Sequence, residues 1–420
     1  QRMTKPLAPP PKKNPQQRTR SPALPSGLRS RAALGLAAAA AEGRFMLQAC
    51  SECGTLQYPP RDACSHCLSV DLKWRDVEPT GKLIAETTVR TSTSVYFRER
   101  TPWRIGTVRL DAGPSVMAHV HGDVPRGADV RLINRLDKSG QGVFFALPLQ
   151  GSVNMEDDPQ LRELTADPKF RRVLITDARN ENSLALAKAF ADAGASAIFV
   201  GEPEGWRPYP HRAALASIPN ASIVPLDVTD TKSVTELAGE IGGKTDILVN
   251  NSRFLRPGGI LDRGDTVFAR DEFETNVLGL MRLAQAFGPA MRGRGADGVN
   301  SAVAWVNIMS VYAYANLPAF GVFSASNAAA LSLSQCLRAE MAAGGVRVMN
   351  VYTGPTDDEW HQPLPPPKVA PSAIAKALVA GLKNGLEDVY VGDVAKDLID
   401  RWRQGPKVLE REMIAQAGEG

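Results

Sequence analysis

From Arg171 to Val391 short apolar runs alternate with helical patterns, and no other feature of the chain narrows its fold as much. Strands are expected at 173–176, 197–200, 223–225, 247–249, 304–308, 346–351 and 389–391, with helices between them, as at 183–193 and 328–342. Runs that are apolar throughout suit strands buried on both faces, and connections long enough to hold a helix make neighbouring strands parallel. The expectation is a doubly wound α/β parallel sheet over residues 169–395. A helical tail at 396–420 follows, with apolar spacing at Leu398, Ile399, Trp402, Val408 and Leu409 that suits packing on the body or on a partner.

That sheet uses half of a 420-residue chain, so one or two further domains must precede it. Residues 1–29 are rich in Pro, Lys, Arg and Gln and have no apolar period. They read as a disordered basic arm, a solvated tail in preference to a tether for an acidic surface. Through Arg31 the chain carries eight Lys/Arg and no Asp or Glu. Since the whole is +4, the remainder is net negative by four, and the folded body is mildly acidic. The apolar run 32–41 is too short to span a bilayer and stands behind a Pro-rich leader, which argues against a signal peptide or a membrane span. A cytoplasmic protein is expected.

Four of the five cysteines fall within eighteen residues, as Cys50-Ser-Glu-Cys53 and, ten residues on, Cys64-Ser-His-Cys67. Two such knuckles bring four thiolates around one tetrahedral ion at about 2.3 Å each, and zinc suits that geometry because it makes no redox demand. Four sulfurs leave no open position, so the metal is expected to be structural and the compartment reducing. His66 reads as a solvated knuckle residue. Residues 30–79 are assigned to a short helix and this zinc ribbon.

Short alternating strands come next, expected at 82–89, 94–97, 105–110, 115–120, 130–134 and 143–147 and separated by Gly, Pro and Asp. They suggest a small closed barrel over 80–150. A polar, punctuated stretch at 151–168 reads as a linker. Helix, zinc ribbon and barrel in this order resemble the acyl-CoA-associated OB-fold family whose members accompany thiolases. The residues carrying the resemblance are Cys50 to Gly54, the following Tyr58-Pro59-Pro60-Arg61, Gly81-Lys82-Leu83, and 107–113. It implies an accessory subunit that docks on a thiolase-like protein and helps hold an acyl-CoA. Arg98, Arg100 and Arg104 are candidate contacts for CoA phosphates, weighed against a plain charged loop. Single-stranded nucleic acid, which asks for a basic groove with aromatic platforms, is not favoured. Tyr96, Phe97 and Trp103 are the main aromatics, and the body is acidic.

The C-terminal half resembles the short-chain dehydrogenase/reductases, a Rossmann-like family. Leu226-Asp227-Val228-Thr229-Asp230, Asp246 to Asn251, Asn276, Ser310 and Gly354-Pro355 carry the likeness. Three departures bear on chemistry. In the family a serine is followed thirteen residues on by Tyr-x-x-x-Lys; here Ser310 is followed by Phe323 and Asn327. Phenylalanine has no proton for a forming alkoxide, and asparagine no charge to draw a phenol pKa down from about 10.

Where the family has Thr-Gly-x-x-x-Gly-x-Gly, the chain reads Thr176-Asp-Ala-Arg-Asn-Glu-Asn-Ser183. The glycines let a pyrophosphate approach the backbone at a helix N-terminus. Asp177, Glu181 and Ser183 stand at their positions. An anion about 4 Å from a phosphate costs about 4 kcal/mol at an effective dielectric near 20. The same carboxylates are expected to satisfy the helix N-terminus from within the chain. Third, Asn-Asn-Ala-Gly becomes Asn250-Asn251-Ser252-Arg253.

NAD(P) is therefore expected not to bind, and Asn276 and Ser310 read as remnants. Tyr312 and Tyr314 lie near Ser310 and offer a displaced acid, although their spacing does not fit the family geometry. Residues 357–361 fall where the family places its substrate-covering loop. The family's dimer seam would correspond to 272–291 and 328–342, so a homodimer or pairing with an active short-chain dehydrogenase is implied. The reading that follows is a non-catalytic, zinc-containing subunit of an acyl-CoA-processing complex. Its alternative is an NAD(P)-dependent 3-hydroxyacyl-CoA dehydrogenase or 3-oxoacyl reductase with atypical residues.

Overall fold

The computed structural model describes residues 4–12, 21–27, 29–295, 298 and 301–418. The chain divides into two compact units, the first built mainly from residues 23–166 and the second mainly from 167–382 and 388–420. Of the expected arm at 1–29, residues 1–3, 13–20 and 28 lie outside the described residues. The rest of it has no helix or strand, and Thr4 Oγ1 donates to Asp123 Oδ1 at 2.9 Å.

In the first unit, α1 (Leu34–Ala41) leads into a three-stranded antiparallel sheet of order β2-β1-β3: β1 (Met46–Cys50), β2 (Leu56–Gln57) and β3 (Leu72–Asp76). The barrel follows with β4 (Thr80–Val89), α2 (Val95–Arg98), β5 (Trp103–Leu110), β6 (Ser115–Val120), β7 (Asp129–Leu136) and β8 (Gly142–Pro148). It closes in the order β4-β5-β6-β8-β7, with β7 returning to β4. Leu83, Val108, Val116, Val120, Val130, Leu132 and Phe144 fill it, and full burial contributes roughly 1.5–3 kcal/mol per such side chain. Gly81 permits closure, because a Cβ there would stand 2.4 Å from the Arg109 carbonyl oxygen.

Residues 94–97, expected as a sixth strand, form the single turn α2 instead. Val95, Tyr96 and Phe97 are consecutive apolar residues with no two-residue alternation. A helical turn sets Arg100 over the Tyr96 ring, 4.0 Å from its centroid. The stretch expected as a linker is also structured. It contains α3 (Pro159–Arg162), capped by Asp158, and Leu161 and Leu164 pack on Val143, Phe145 and Leu147 of β8.

The second unit runs β9 (Arg172–Ile175), α4 (Ser183–Asp192), β10 (Ala197–Glu202), α5 (Arg212–Ala216), β11 (Ala221–Pro225), α6 (Thr231–Ile241) and β12 (Ile247–Asn250). It continues through α7 (Val267–Phe273), a π-helical turn Glu274–Leu278, α8 (Gly279–Gly293), β13 (Ala304–Ser310), α9 (Gly321–Ala342), β14 (Arg347–Thr353), α10 (Pro371–Asn384) and β15 (Asp388–Val391). Two terminal helices, α11 (Asp393–Gln404) and α12 (Pro406–Gly418), complete it. The seven strands are parallel in the order β11-β10-β9-β12-β13-β14-β15, which is the expected doubly wound sheet.

Strand order reverses between β9 and β12, and the crevice at their carboxyl ends is where such sheets place a site. Helix α8 buries Leu280, Leu283, Phe287 and Met291, an i, i+3, i+7, i+11 stripe. The corresponding stripe of α9 carries Ser326, Asn327 and Ser334 among its buried residues. Buried polar groups need partners, so this face is committed to hydrogen bonds. Among the described residues no helix is long and apolar enough to cross a membrane.

Candidate functional site

The two knuckles are built alike. Gly54 N donates to Cys50 O at 3.0 Å and Leu68 N to Cys64 O at 3.1 Å, with both acceptors the first cysteine of a pair. Gly54 and Leu68 take left-handed φ of 72° and 64°, which turns each loop back toward its cysteines. The four Sγ atoms lie within 4.8 Å of one another, with Cys50–Cys67 at 3.5 Å and Cys53–Cys64 at 3.6 Å. A tetrahedron with metal–sulfur bonds of about 2.3 Å has edges of about 3.8 Å, so Cys50, Cys53, Cys64 and Cys67 fit a structural zinc ion.

The barrel arginines are placed differently from one another. The Arg104 guanidinium pairs with Glu86 and donates to the carbonyls of His121 (2.7 Å) and Val124 (3.0 Å). Arg100 pairs with Glu163 at 3.0 Å. Both are held by acceptors within the first unit. Arg98 is exposed.

In the second unit, Thr176 ends β9 and the turn to α4 begins. Asn251, beyond β12, stitches the two strand ends together: its Oδ1 accepts from Asp177 N at 2.8 Å and its Nδ2 donates to Asp177 O at 2.9 Å. Asp177 Oδ1 accepts from Arg179 N at 2.9 Å, and burial pushes its carboxyl up to about 6. Ser183 Oγ donates to Ala178 O at 2.7 Å, with His211 Nε2 3.0 Å away. The Arg179 guanidinium bonds the Glu204 carboxylate (3.0 Å) and carbonyl.

The expectation that Asp177 and Glu181 satisfy the start of α4 does not hold. Asn182 occupies the cap and makes no side-chain capping bond. Asp177 lies six residues ahead of Ser183 and serves the turn, and the Glu181 carboxylate faces Arg253 Nη2 at 3.4 Å.

On the opposite wall Ser310 ends β13, and its Oγ accepts from Tyr312 N at 3.1 Å. Asn327 is turned back into the protein, with Oδ1 accepting from Ser310 N and Nδ2 donating to Phe323 O, both at 2.9 Å. Phe323 is 1% exposed and presents only hydrocarbon to the cleft. Asn276, in the π-helical turn, brackets the backbone of Phe254 with two bonds of 2.9 Å and donates to Ser326 Oγ at 3.0 Å. It thereby positions the loop after β12.

Tyr312 and Tyr314 do not line the cleft. Tyr312 is packed in the core, where burial pushes its phenol up to about 12, and the Tyr314 hydroxyl faces that of Tyr352 at 3.4 Å. Sequence reasoning missed the charged cluster that borders the cleft. Arg253 Nη2 donates to Asp358 Oδ2 at 2.9 Å, and His361 Nδ1 stands 2.8 Å from the same oxygen. Burial opposes ionisation of Asp358, but the bond to His361 and the Arg253 charge hold its carboxyl well below the usual range. Arg253 stood out in sequence as a bulky cation at a position of small residues, but nothing there named its partner. Ser310, Phe323, Asn327, Asn276, Arg253 and His361 all line one cleft. The space left for water among its side chains is ≈ 30 Å³, room for a water or two.

Comparison with known proteins finds three matching family profiles: "ChsH2, rubredoxin-like zinc ribbon domain" over residues 37–72, "ChsH2, C-terminal OB-fold domain" over 74–134, and "short chain dehydrogenase" over 171–368. Ketoacyl reductase HetN of a Nostoc species is 27% identical over 53% of this chain and 78% of its own length. Short-chain dehydrogenase ptmH of Penicillium ochrochloron is 34% identical over 43% of this chain and 68% of its own. A crystal structure of a short-chain dehydrogenase from Burkholderia cenocepacia in complex with NADP superimposes with a TM-score of 0.52 and 28% identity, covering 58% of this chain and 98% of that one.

Proposed function

Because the chain belongs to the short-chain dehydrogenases and carries a ChsH2-type zinc ribbon and OB-fold ahead of that domain, we propose that it is a binding subunit of an acyl-CoA-processing, thiolase-like complex. In this reading its own hydride-transfer cleft has been taken over by its own side chains. The observation that carries it is the Phe323–Asn327 pair beside Ser310. The proton donor has become a hydrocarbon ring, and the residue at the lysine position bonds to backbone instead.

Three further features support the reading. The turn after β9 has Asp177 and Glu181 in place of glycines, so a diphosphate would meet side chains and negative charge where relatives offer bare amides. Arg179 and Glu204 are bonded to each other. Arg253 bridges Glu181 and Asp358. The residues present do not suit a dinucleotide, and no chemical step is assigned to one. Zinc would hold the knuckles rigid and supply no reaction, since four thiolates fill its coordination sphere. The likeness of the N-terminal unit to ChsH2-type domains supports a docking role for this unit and a link to acyl-CoA.

Purification of the tagged protein from its native cell tests the proposal. A thiolase-like protein in stable proportion is the expected companion, and a chain that elutes without one counts against the docking role. A second reading, reduction of a 3-oxoacyl thioester with NAD(P)H, has Ser310 and Asn276 in its favour together with the reductase and NADP-bound relatives. It predicts consumption of NADPH by the isolated chain when given a 3-oxoacyl-CoA.

A further inference from the structure

Two arginines leave the loop after β12 and end on the segment that follows β14. Arg253 donates to Thr356 Oγ1 at 3.2 Å and to Asp358 Oδ2 at 2.9 Å, and reaches back to Glu181 at 3.4 Å. The Arg256 guanidinium lies 4.1 Å from the Trp360 ring centroid, with Phe254 at 4.8 Å and Phe268 at 5.6 Å around the same group. Asp358 organises the segment they grip. It accepts from the amides of Trp360 and His361 at 3.0 Å each and faces the His361 ring, which stacks on Phe320 at 5.6 Å. The base of the segment is pinned separately, by Val369 N to Pro355 O at 2.8 Å and Asp357 N to Val369 O at 3.2 Å.

We infer that Arg253 and Arg256 form a latch that keeps residues 355–368 shut over the cleft without any ligand, an internal ionic and stacking bridge standing where a dinucleotide would otherwise join the two walls. The inference builds on the proposal that the cleft is not a cofactor site. It assigns the closed state to a cause within the chain: one guanidinium joins the turn before α4, through Glu181, to the segment after β14, through Asp358. The bonds of Arg253 are charge-assisted, and its side chain remains 20% exposed. Salt should therefore loosen this half of the latch, while the cation–π half at Trp360 resists.

Hydrogen–deuterium exchange on the full-length, zinc-loaded protein tests the latch. In Arg253→Ala the peptides spanning 355–368, which include the Trp360 and His361 amides, should exchange about tenfold faster or more. Arg256→Ala should accelerate the same peptides by a smaller factor, Arg256→Lys by less still, and peptides of β12 and β13 should stay unchanged. Exchange over 355–368 that is the same in Arg253→Ala as in the parent would overturn the inference. If Arg253→Ala does not yield folded protein, Arg256→Ala and a salt series on the parent decide. Raising NaCl from about 0.1 to about 1 M shortens the Debye length from ~10 to ~3 Å. Acceleration confined to 355–368 is expected, and indifference to both perturbations rejects the latch. NADPH added to the parent separates this test from the functional reading. Slowing of 355–368 by NADPH would reject the pseudo-dehydrogenase role, whereas the response to Arg253→Ala would still judge the latch.

Discussion

Asp177 and Asp358 are both carboxylates of the second unit, and their surroundings shift them in opposite directions. Burial raises Asp177 to about 6, against about 3.9 for an unfolded chain. Stability linked to this group is complete below pH ~4 and is lost as pH rises through about 6. Asp177→Asn keeps an acceptor for Arg179 N. It should raise the melting temperature at pH 7 and leave it nearly unchanged at pH 4, a gain of about 3 kcal/mol at most. Asp358 is depressed, so its contribution is present above the unfolded pKa near 4 and is lost as pH falls toward the folded value. Asp358→Asn should cost about 3 kcal/mol at pH 7 in denaturant titrations, because it leaves Arg253 facing a neutral group in a largely dry site. At this scale legibility depended on sequence distance. Phe323 and Asn327 were readable because a strand followed by a helix fixes their spacing from Ser310. The pairing of Arg253 with Asp358 was not, since 105 residues separate them and only the folded sheet brings their loops together.

Among the elements, the zinc knuckles were the most legible. Four cysteines at fixed spacing leave little freedom, and the structure brings their sulfurs to within 4.8 Å. One zinc per chain is expected by elemental analysis, and Cys64→Ala should abolish it and lower the melting temperature through loss of the ribbon sheet β2-β1-β3. A chain of undiminished stability without metal would contradict the structural role. The sheet of the second unit was legible for a related reason, because strands buried on both faces are apolar throughout. The turn α2 was not, since a short apolar run does not declare its period. Neither was the packing of 151–168, where Leu161 and Leu164 are separated by charged Arg162 and Glu163, which hid the apolar pair within a polar stretch. Arg98, Arg100 and Arg104 looked like a cluster in sequence, but Glu86 and Glu163 take up two of the three, and those carboxylates come from other parts of the first unit.

On the function proposed above, the whole molecule joins a docking unit to a dehydrogenase fold that works by binding. The second unit carries a groove of ≈ 450 Å³ between α8 and α9, lined by Met281, Ala284, Gly288, Leu333 and Leu337 among others. In the family the corresponding helices form the dimer seam, and a homodimer or a pairing with an active dehydrogenase through this groove is part of the proposal. Met281 is 45% exposed, so Met281→Arg should leave folding and zinc content intact while moving the mass measured by light scattering from dimer toward monomer, or releasing an active dehydrogenase partner. The claim at the centre is that a dinucleotide finds no seat in the cleft beside Ser310. Calorimetric titration of the purified chain with NADH and then NADPH tests it most directly. No saturable heat is expected at any concentration up to the millimolar range; a saturable isotherm with micromolar affinity for either would contradict the proposed role.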